Sequence, residues 1–138
     1  MRPLDKIDQN ILSTLQKDGR ISNVELAKRV NLSPTPCLDR VRRLEKEGYI
    51  KGYHAELCAE KLKSSFVTFM TVSLNRTTND VFASFAEHVA QLDEVVECHM
   101  VGGGFDYLLK IRTEDMAAFR KFMGEQLSQS PEVAQTHS

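Results

Sequence analysis

The sequence predicts a two-part α+β chain, helical to about residue 50 and built of strands and helices thereafter. Three patterns predict it. Apolar residues recur at helical spacing as far as Leu44, strand-like runs flank the triplet Gly102-Gly103-Gly104, and charge is unevenly divided. Residues 1–53 carry eleven Lys or Arg against seven Asp or Glu, a net +4, whereas residues 54–138 carry seven against twelve, a net −5. A basic first half suits a polyanion, and the acidic remainder is expected to sit away from it.

The first helix is expected from Asp5 to Asp18, where Ile7, Ile11, Leu12 and Leu15 share a face and Gly19 supplies a left-handed stop. Ser22-Asn23-Val24-Glu25 fits a capping box opening a short second helix, with Val24, Ala27 and Val30 as its buried side. Ser33-Pro34 then places a capping residue before a proline at the first helical position, where a missing N–H costs nothing. The third helix therefore starts at about Pro34 and runs to Gly48.

Advancing each residue of the third helix by 100° puts Cys37, Val41 and Leu44 on one stripe and Thr35, Arg42, Arg43 and Lys46 around the other side. Two short helices joined by about three residues, the second with an apolar inner and a basic outer face, form the helix-turn-helix that lays a recognition helix in a major groove. Ser33, Thr35 and Pro36 are then placed to meet base edges and phosphate, and Arg40, Arg42, Arg43 and Lys46 to contact phosphate or, for one arginine, guanine. A bare basic helix would read as a solvated face laced by i,i+3 and i,i+4 pairs. The capped helix pair, the Ser-Pro start and the local positive charge together favour double-stranded DNA.

In the second half, Phe66 to Leu74 is rich in strand formers and apolar on both faces. Asn79 can cap a helix whose Val81, Phe85, Val89 and Leu92 share a side. Val95 to Val101 and Phe105 to Arg112 are strand-like and joined by the glycine run, which lacks both phosphate-loop patterns and reads as a hairpin. A second helix follows Thr113, with Met116, Phe119, Met123 and Leu127 on one side. One sheet face is expected to be covered by helices and the other to pack on another subunit, giving an obligate dimer.

Composition narrows the classes. At 41% hydrophobic and 27% charged the chain reads as ordinary globular protein, with no apolar run near the ~20 residues a membrane span needs and no signal-peptide core after Met1, so no membrane partner and a cytoplasmic location are expected. Cys37, Cys58 and Cys98 have neither CxxC nor metal-ligand spacing and are expected to be buried thiols in a reducing compartment. His54, His88, His99 and His137 show no ligand spacing and no nucleophile pattern accompanies them, so neither an enzyme nor a cofactor is expected.

Asp18-Gly19-Arg20-Ile21-Ser22-Asn23-Val24-Glu25-Leu26, Leu32-Ser33-Pro34-Thr35-Pro36-Cys37-Leu38, Arg40-Val41-Arg42-Arg43-Leu44-Glu45, Gly52-Tyr53, Glu97-Cys98-His99 and Phe105-Asp106-Tyr107-Leu108-Leu109-Lys110 resemble the Lrp/AsnC family of bacterial transcriptional regulators along essentially the whole chain. The resemblance implies a helix-turn-helix (winged-helix-like) DNA-binding domain over residues 1–50. It further implies a linking strand or hinge over 51–63 and a βαββαβ ferredoxin-like domain over 64–138 that dimerises, assembles further, as in an octamer, and binds an amino-acid effector. Against that pattern Glu132 to Ser138 begins the fourth strand and stops, which implies an unpaired edge unless the sequence is incomplete or a neighbouring subunit covers it. By the same resemblance Met100, Gly103, Gly104, Asp106 and Ser128 are the effector positions, although at Gly104 relatives usually carry an acidic or other polar side chain. Physically, amides of a glycine turn can hold a carboxylate and Asp106 an ammonium group, or Asp106 can simply stabilise the turn. The expected function is sequence-specific regulation of transcription over roughly palindromic sites in response to an amino acid. A ligand-independent architectural DNA-binding protein is the alternative.

Overall fold

A computed structural model describes residues 2–138, and the chain divides into two compact units, Met1–Glu56 and Leu57–Ser138. The first unit holds helices α1 (Lys6–Lys17), α2 (Asn23–Arg29) and α3 (Pro34–Lys46). Ile11, Leu26, Ala27, Val30, Cys37 and Leu44 form its core, each at most 4% exposed. Burial of such side chains is worth roughly 1.5–3 kcal/mol apiece for the larger ones. The expected inner side of α2 is corrected here: Val24 is 51% exposed and Leu26 takes the buried position, because Leu26 and Ala27 together face α1 and α3.

The turns between these helices follow from backbone hydrogen bonding. Asn31 adopts φ 56°, so its N–H reaches the Lys28 carbonyl at 3.2 Å and the Leu32 N–H reaches that of Ala27 at 2.9 Å. The same pair of bonds closes α3, where Gly48 has φ 79°, the Gly48 N–H donates to the Glu45 carbonyl and the Tyr49 N–H to that of Leu44. Both are left-handed caps that satisfy the last helical carbonyls. Gly19, expected to do this for α1, does not take a positive φ; Asp18 ends that helix in a different conformation. Ser22 caps α2 by accepting from the Glu25 N–H at 3.2 Å, whereas the Ser33 hydroxyl makes no such bond and α3 opens on Pro34.

The expected linking strand is absent among the described residues: 51–58 have no regular element and 59–63 form a turn. Strand pairing needs a neighbouring ladder, and among the described residues no strand is paired with this segment.

The second unit runs β1 (Phe66–Leu74), α4 (Asn79–Val89), β2 (Val95–Met100), β3 (Tyr107–Thr113), α5 (Met116–Glu125) and β4 (Val133–His137). This is the βαββαβ order, and the strands form an antiparallel sheet in the order β2-β3-β1-β4. Met70, Val72 and Leu74 of β1 and Tyr107, Leu109 and Ile111 of β3 point to one face, where they pack with Phe85 of α4 and Phe119 and Phe122 of α5. Val67 and Phe69 point to the other face and are 38% and 57% exposed.

Three further expectations are corrected. Thr78, not Asn79, occupies the cap position of α4, and α5 is capped by Asp115, which accepts from the Ala118 N–H at 2.8 Å. Met116 is 47% exposed while Phe122 is buried in its place. Cys37 is buried but Cys58 and Cys98 are exposed, Cys98 because it lies on β2 at the sheet edge. Strand β4 pairs with Thr71 to Leu74 only, so among the described residues β4 leaves Phe66 to Met70 of β1 uncovered.

Candidate nucleic-acid interface and effector site

Two constraints orient α3. Its inner side, Cys37 and Leu44, is fully buried, and the Asn23 amide on α2 donates to the Pro34 carbonyl at 2.8 Å, tying the start of α3 to α2. The side opposite the core is then Thr35, Asp39, Arg42 and Lys46, all exposed. Among the described residues none of these four side chains forms a hydrogen bond or an ion pair. Ser33 and Pro36 are exposed beside Thr35 at the same end of the helix.

Arg40 and Arg43 stand elsewhere. Asp8, on the first turn of α1, has a side chain that is 0% exposed and lies between the two guanidiniums: Arg40 Nη1 donates to Asp8 Oδ1 at 2.8 Å and Arg43 Nη2 to Asp8 Oδ2 at 2.5 Å. Arg40 also donates to Asp5 Oδ2 at 2.7 Å, and Arg43 lies 3.6 Å from Glu47. Asp5 and Asp8 complete a capping box, each carboxylate accepting the other's backbone N–H. Burial works to raise the Asp8 pKa, but the hydrogen bonds from Arg43, Arg40 and the Asp5 amide outweigh it and hold the carboxyl well below the ordinary range. The bond to Asp5 and then that to Asp8 raise Arg40 further, and the bond to Asp8 raises Arg43. The expectation of a wholly free basic face is therefore corrected at two positions: Arg40 and Arg43 are held by α1 and only 21% exposed, leaving Arg42 and Lys46 as the unengaged cations of α3.

The effector positions are spread over the second unit. Met100 ends β2, is 64% exposed and borders a cleft of about 370 Å³ with Ala86, Val89, Ala90 and Val96. Ser128 borders a separate cleft of about 220 Å³ with Met123, Leu127 and Val133. Gly102, Gly103 and Gly104 are exposed, with open space around each Cα, and Gly103 has φ 153°. Asp106 takes the turn-stabilising part: its Oδ2 accepts from the Leu74 N–H at 2.7 Å, fastening the end of β1 to the hairpin, and its N–H donates to the Val72 carbonyl. The Ser128 hydroxyl donates to the Gly124 carbonyl at 2.8 Å. Met100 and Ser128 thus line different clefts, and Asp106 lines neither of the two.

Residues 4–51 match the model of winged helix-turn-helix DNA-binding domains, and residues 67–138 match that of the Lrp/AsnC ligand binding domain. The chain belongs to the Lrp/AsnC family. It is 56% identical to the leucine-responsive regulatory proteins of Escherichia coli (strain K12) and Klebsiella pneumoniae over 137 residues, covering 99% of this chain and 84% of each relative. Among solved structures it resembles the L-Met complex of a transcriptional regulator from Neisseria meningitidis, with TM-score 0.89, 39% identity and coverage of 98% of this chain and 87% of that one. An AsnC family transcriptional regulator from Agrobacterium tumefaciens aligns with TM-score 0.88 at 30% identity, covering 97% of this chain and 87% of the other.

This Lrp/AsnC chain is thus a DNA-binding transcription regulator with a ligand-binding domain, and its relatives are regulators of transcription rather than enzymes. Sequence reasoning missed the part of Asp5 and Asp8. The Asp-x-x-Asp spacing at the start of α1 signals a cap, but nothing in it announces that the second carboxylate also turns inward to meet α3. It missed Asn23 as well, since a clamp eleven residues away in sequence has no local signature.

Proposed function

We propose that this regulator docks α3 in the major groove through Ser33, Thr35, Pro36, Arg42 and Lys46, with Arg40 and Arg43 orienting the helix from behind, and that an amino acid modulates the binding. One observation carries the docking: the unengaged cations of the helix all lie on the side facing away from the core, where phosphate can meet them. The effector class is supported by the L-Met complex of the Neisseria relative. Met100, Gly103, Gly104, Asp106 and Ser128 contribute to its site when two subunits meet, each subunit supplying part. The glycine turn offers amides to the carboxylate, and the Asp106 oxygen not engaged by Leu74 receives the ammonium group.

The active species is a dimer, formed on the open sheet face around Val67 and Phe69, and dimers assemble further, with the octamer as one closed form. Two recognition helices then enter successive major grooves ~34 Å apart over a roughly palindromic site. Residues 51–63 act as the hinge between the DNA-binding and effector domains, and the protein works in the cytoplasm, where its DNA is.

Equilibrium binding of the full chain to a selected duplex, with and without a panel of amino acids including methionine and leucine, tests the proposal. A shift of fivefold or more with at least one of them is expected, the size of an ordinary coupling of about 1 kcal/mol or more. A second reading has an observation in its favour: Asp106 and Ser128 already have partners within the chain, as suits an architectural protein that binds DNA without sensing anything. Unchanged affinity across the panel would establish that reading instead.

A further inference from the structure

One residue on the outer face of α3 is not accounted for by phosphate binding. Asp39 is exposed, one turn after Thr35 and one turn before Arg42 and Arg43, and among the described residues it has no hydrogen bond or ion pair. The neighbours able to neutralise a helical carboxylate within its own helix are the cations at i+3 and i+4. Here the i+4 residue, Arg43, is held by Asp8, and the i+3 residue, Arg42, forms no pair with it. An unpaired carboxylate facing a polyanion opposes docking unless a donor meets it, and phosphate offers none.

The major groove does offer donors. An ionised carboxylate only accepts, so guanine, with two acceptors, and thymine, with an acceptor and a methyl group, do not suit it. Adenine places its N7 acceptor beside its amino group, where a second carboxylate oxygen would be repelled. Cytosine presents its N4 amino group alone. Asp39 is the sixth residue of α3, about 6 Å along the axis from Thr35 and within the first two turns, the part of a recognition helix that reaches base edges.

We infer that Asp39 is a specificity-determining residue that accepts a hydrogen bond from the N4 amino group of one cytosine in each half-site. The inference rests on the proposal that the outer face of α3 is the surface turned to the bases. Its cost in affinity is the reason for its value in specificity: the carboxylate weakens binding to every duplex that lacks the donor and spares the one that has it.

Selection from a randomised duplex library with the full-length wild type, D39A and D39N tests this, with circular dichroism confirming equal helix content in all three. The wild type is expected to enrich cytosine at one position per half-site. D39A is expected to lose that preference by roughly tenfold, within the range of one base contact, while binding non-specific duplex more tightly. D39N is expected to move the preference to adenine, whose N6 and N7 match an amide. An identical consensus from all three proteins would overturn the inference, and so would a change spread over the whole half-site, which marks a helix that has shifted. A wild type that enriches no sequence would overturn the assignment of the outer face, and the inference with it.

Discussion

Asp8 is fully buried with two guanidiniums converging on its carboxylate, so its removal leaves Arg40 with Asp5 alone and Arg43 with only its 3.6 Å contact to Glu47, each guanidinium side chain a fifth exposed. Breaking a buried pair by removing one member costs about 3–5 kcal/mol, and the partial exposure of the arginines lowers the expected loss for D8A to about 2–3 kcal/mol. Urea denaturation at neutral pH measures it. The folded protein holds Asp8 more acidic than the unfolded chain does, so its contribution is complete at neutral pH and is withdrawn as pH falls below the ordinary value of 3.8. The stability gap between wild type and D8N is therefore expected to narrow in acid; a gap constant from pH 7 to pH 3 would show that packing, not charge, is what Asp8 supplies. Sequence alone leads one to group Arg40 and Arg43 with Arg42, since four basic residues on one helix look alike until the inward carboxylate is placed.

At the scale of elements, the turn between α2 and α3 depends on Asn31 at φ 56°, a conformation that β-branched residues resist. Replacing Asn31 by Val is expected to cost about 1–2 kcal/mol in stability, whereas Asn31→Gly is expected to be near neutral. Thermal denaturation of the two variants checks the contrast, and equal losses would place the effect in the Asn31 side chain instead of its backbone. Most of this level was legible beforehand because it is local: Ser22 capping α2, Pro34 opening α3, Gly48 ending it, and the bounds of β1 all follow from residue types at short range. What was not legible is long-range. The burial of Leu26 in place of Val24, and the use of the Asp106 carboxylate on Leu74, depend on neighbours that only the assembled unit brings near.

For the whole molecule, the open face of the sheet sets the expected assembly. Phe69, 57% exposed beside Val67, is an apolar surface that a second subunit would bury, and F69D is expected to convert a dimer to a monomer in sedimentation without unfolding the sheet. A wild type already monomeric at micromolar concentration would remove the dimer from the account. The proposed effector site is the part the sequence located least: Met100 and Ser128 border separate clefts of one chain, and residue spacing carries no information about whether a second subunit joins them. The DNA-binding end allows a more direct test. With Arg42 and Lys46 meeting phosphate as proposed, the slope of log affinity against log salt should be shallower by about 1.8 for the R42A/K46A double variant than for the wild type. A slope undiminished in the double variant would contradict the docking of α3 by its outer face.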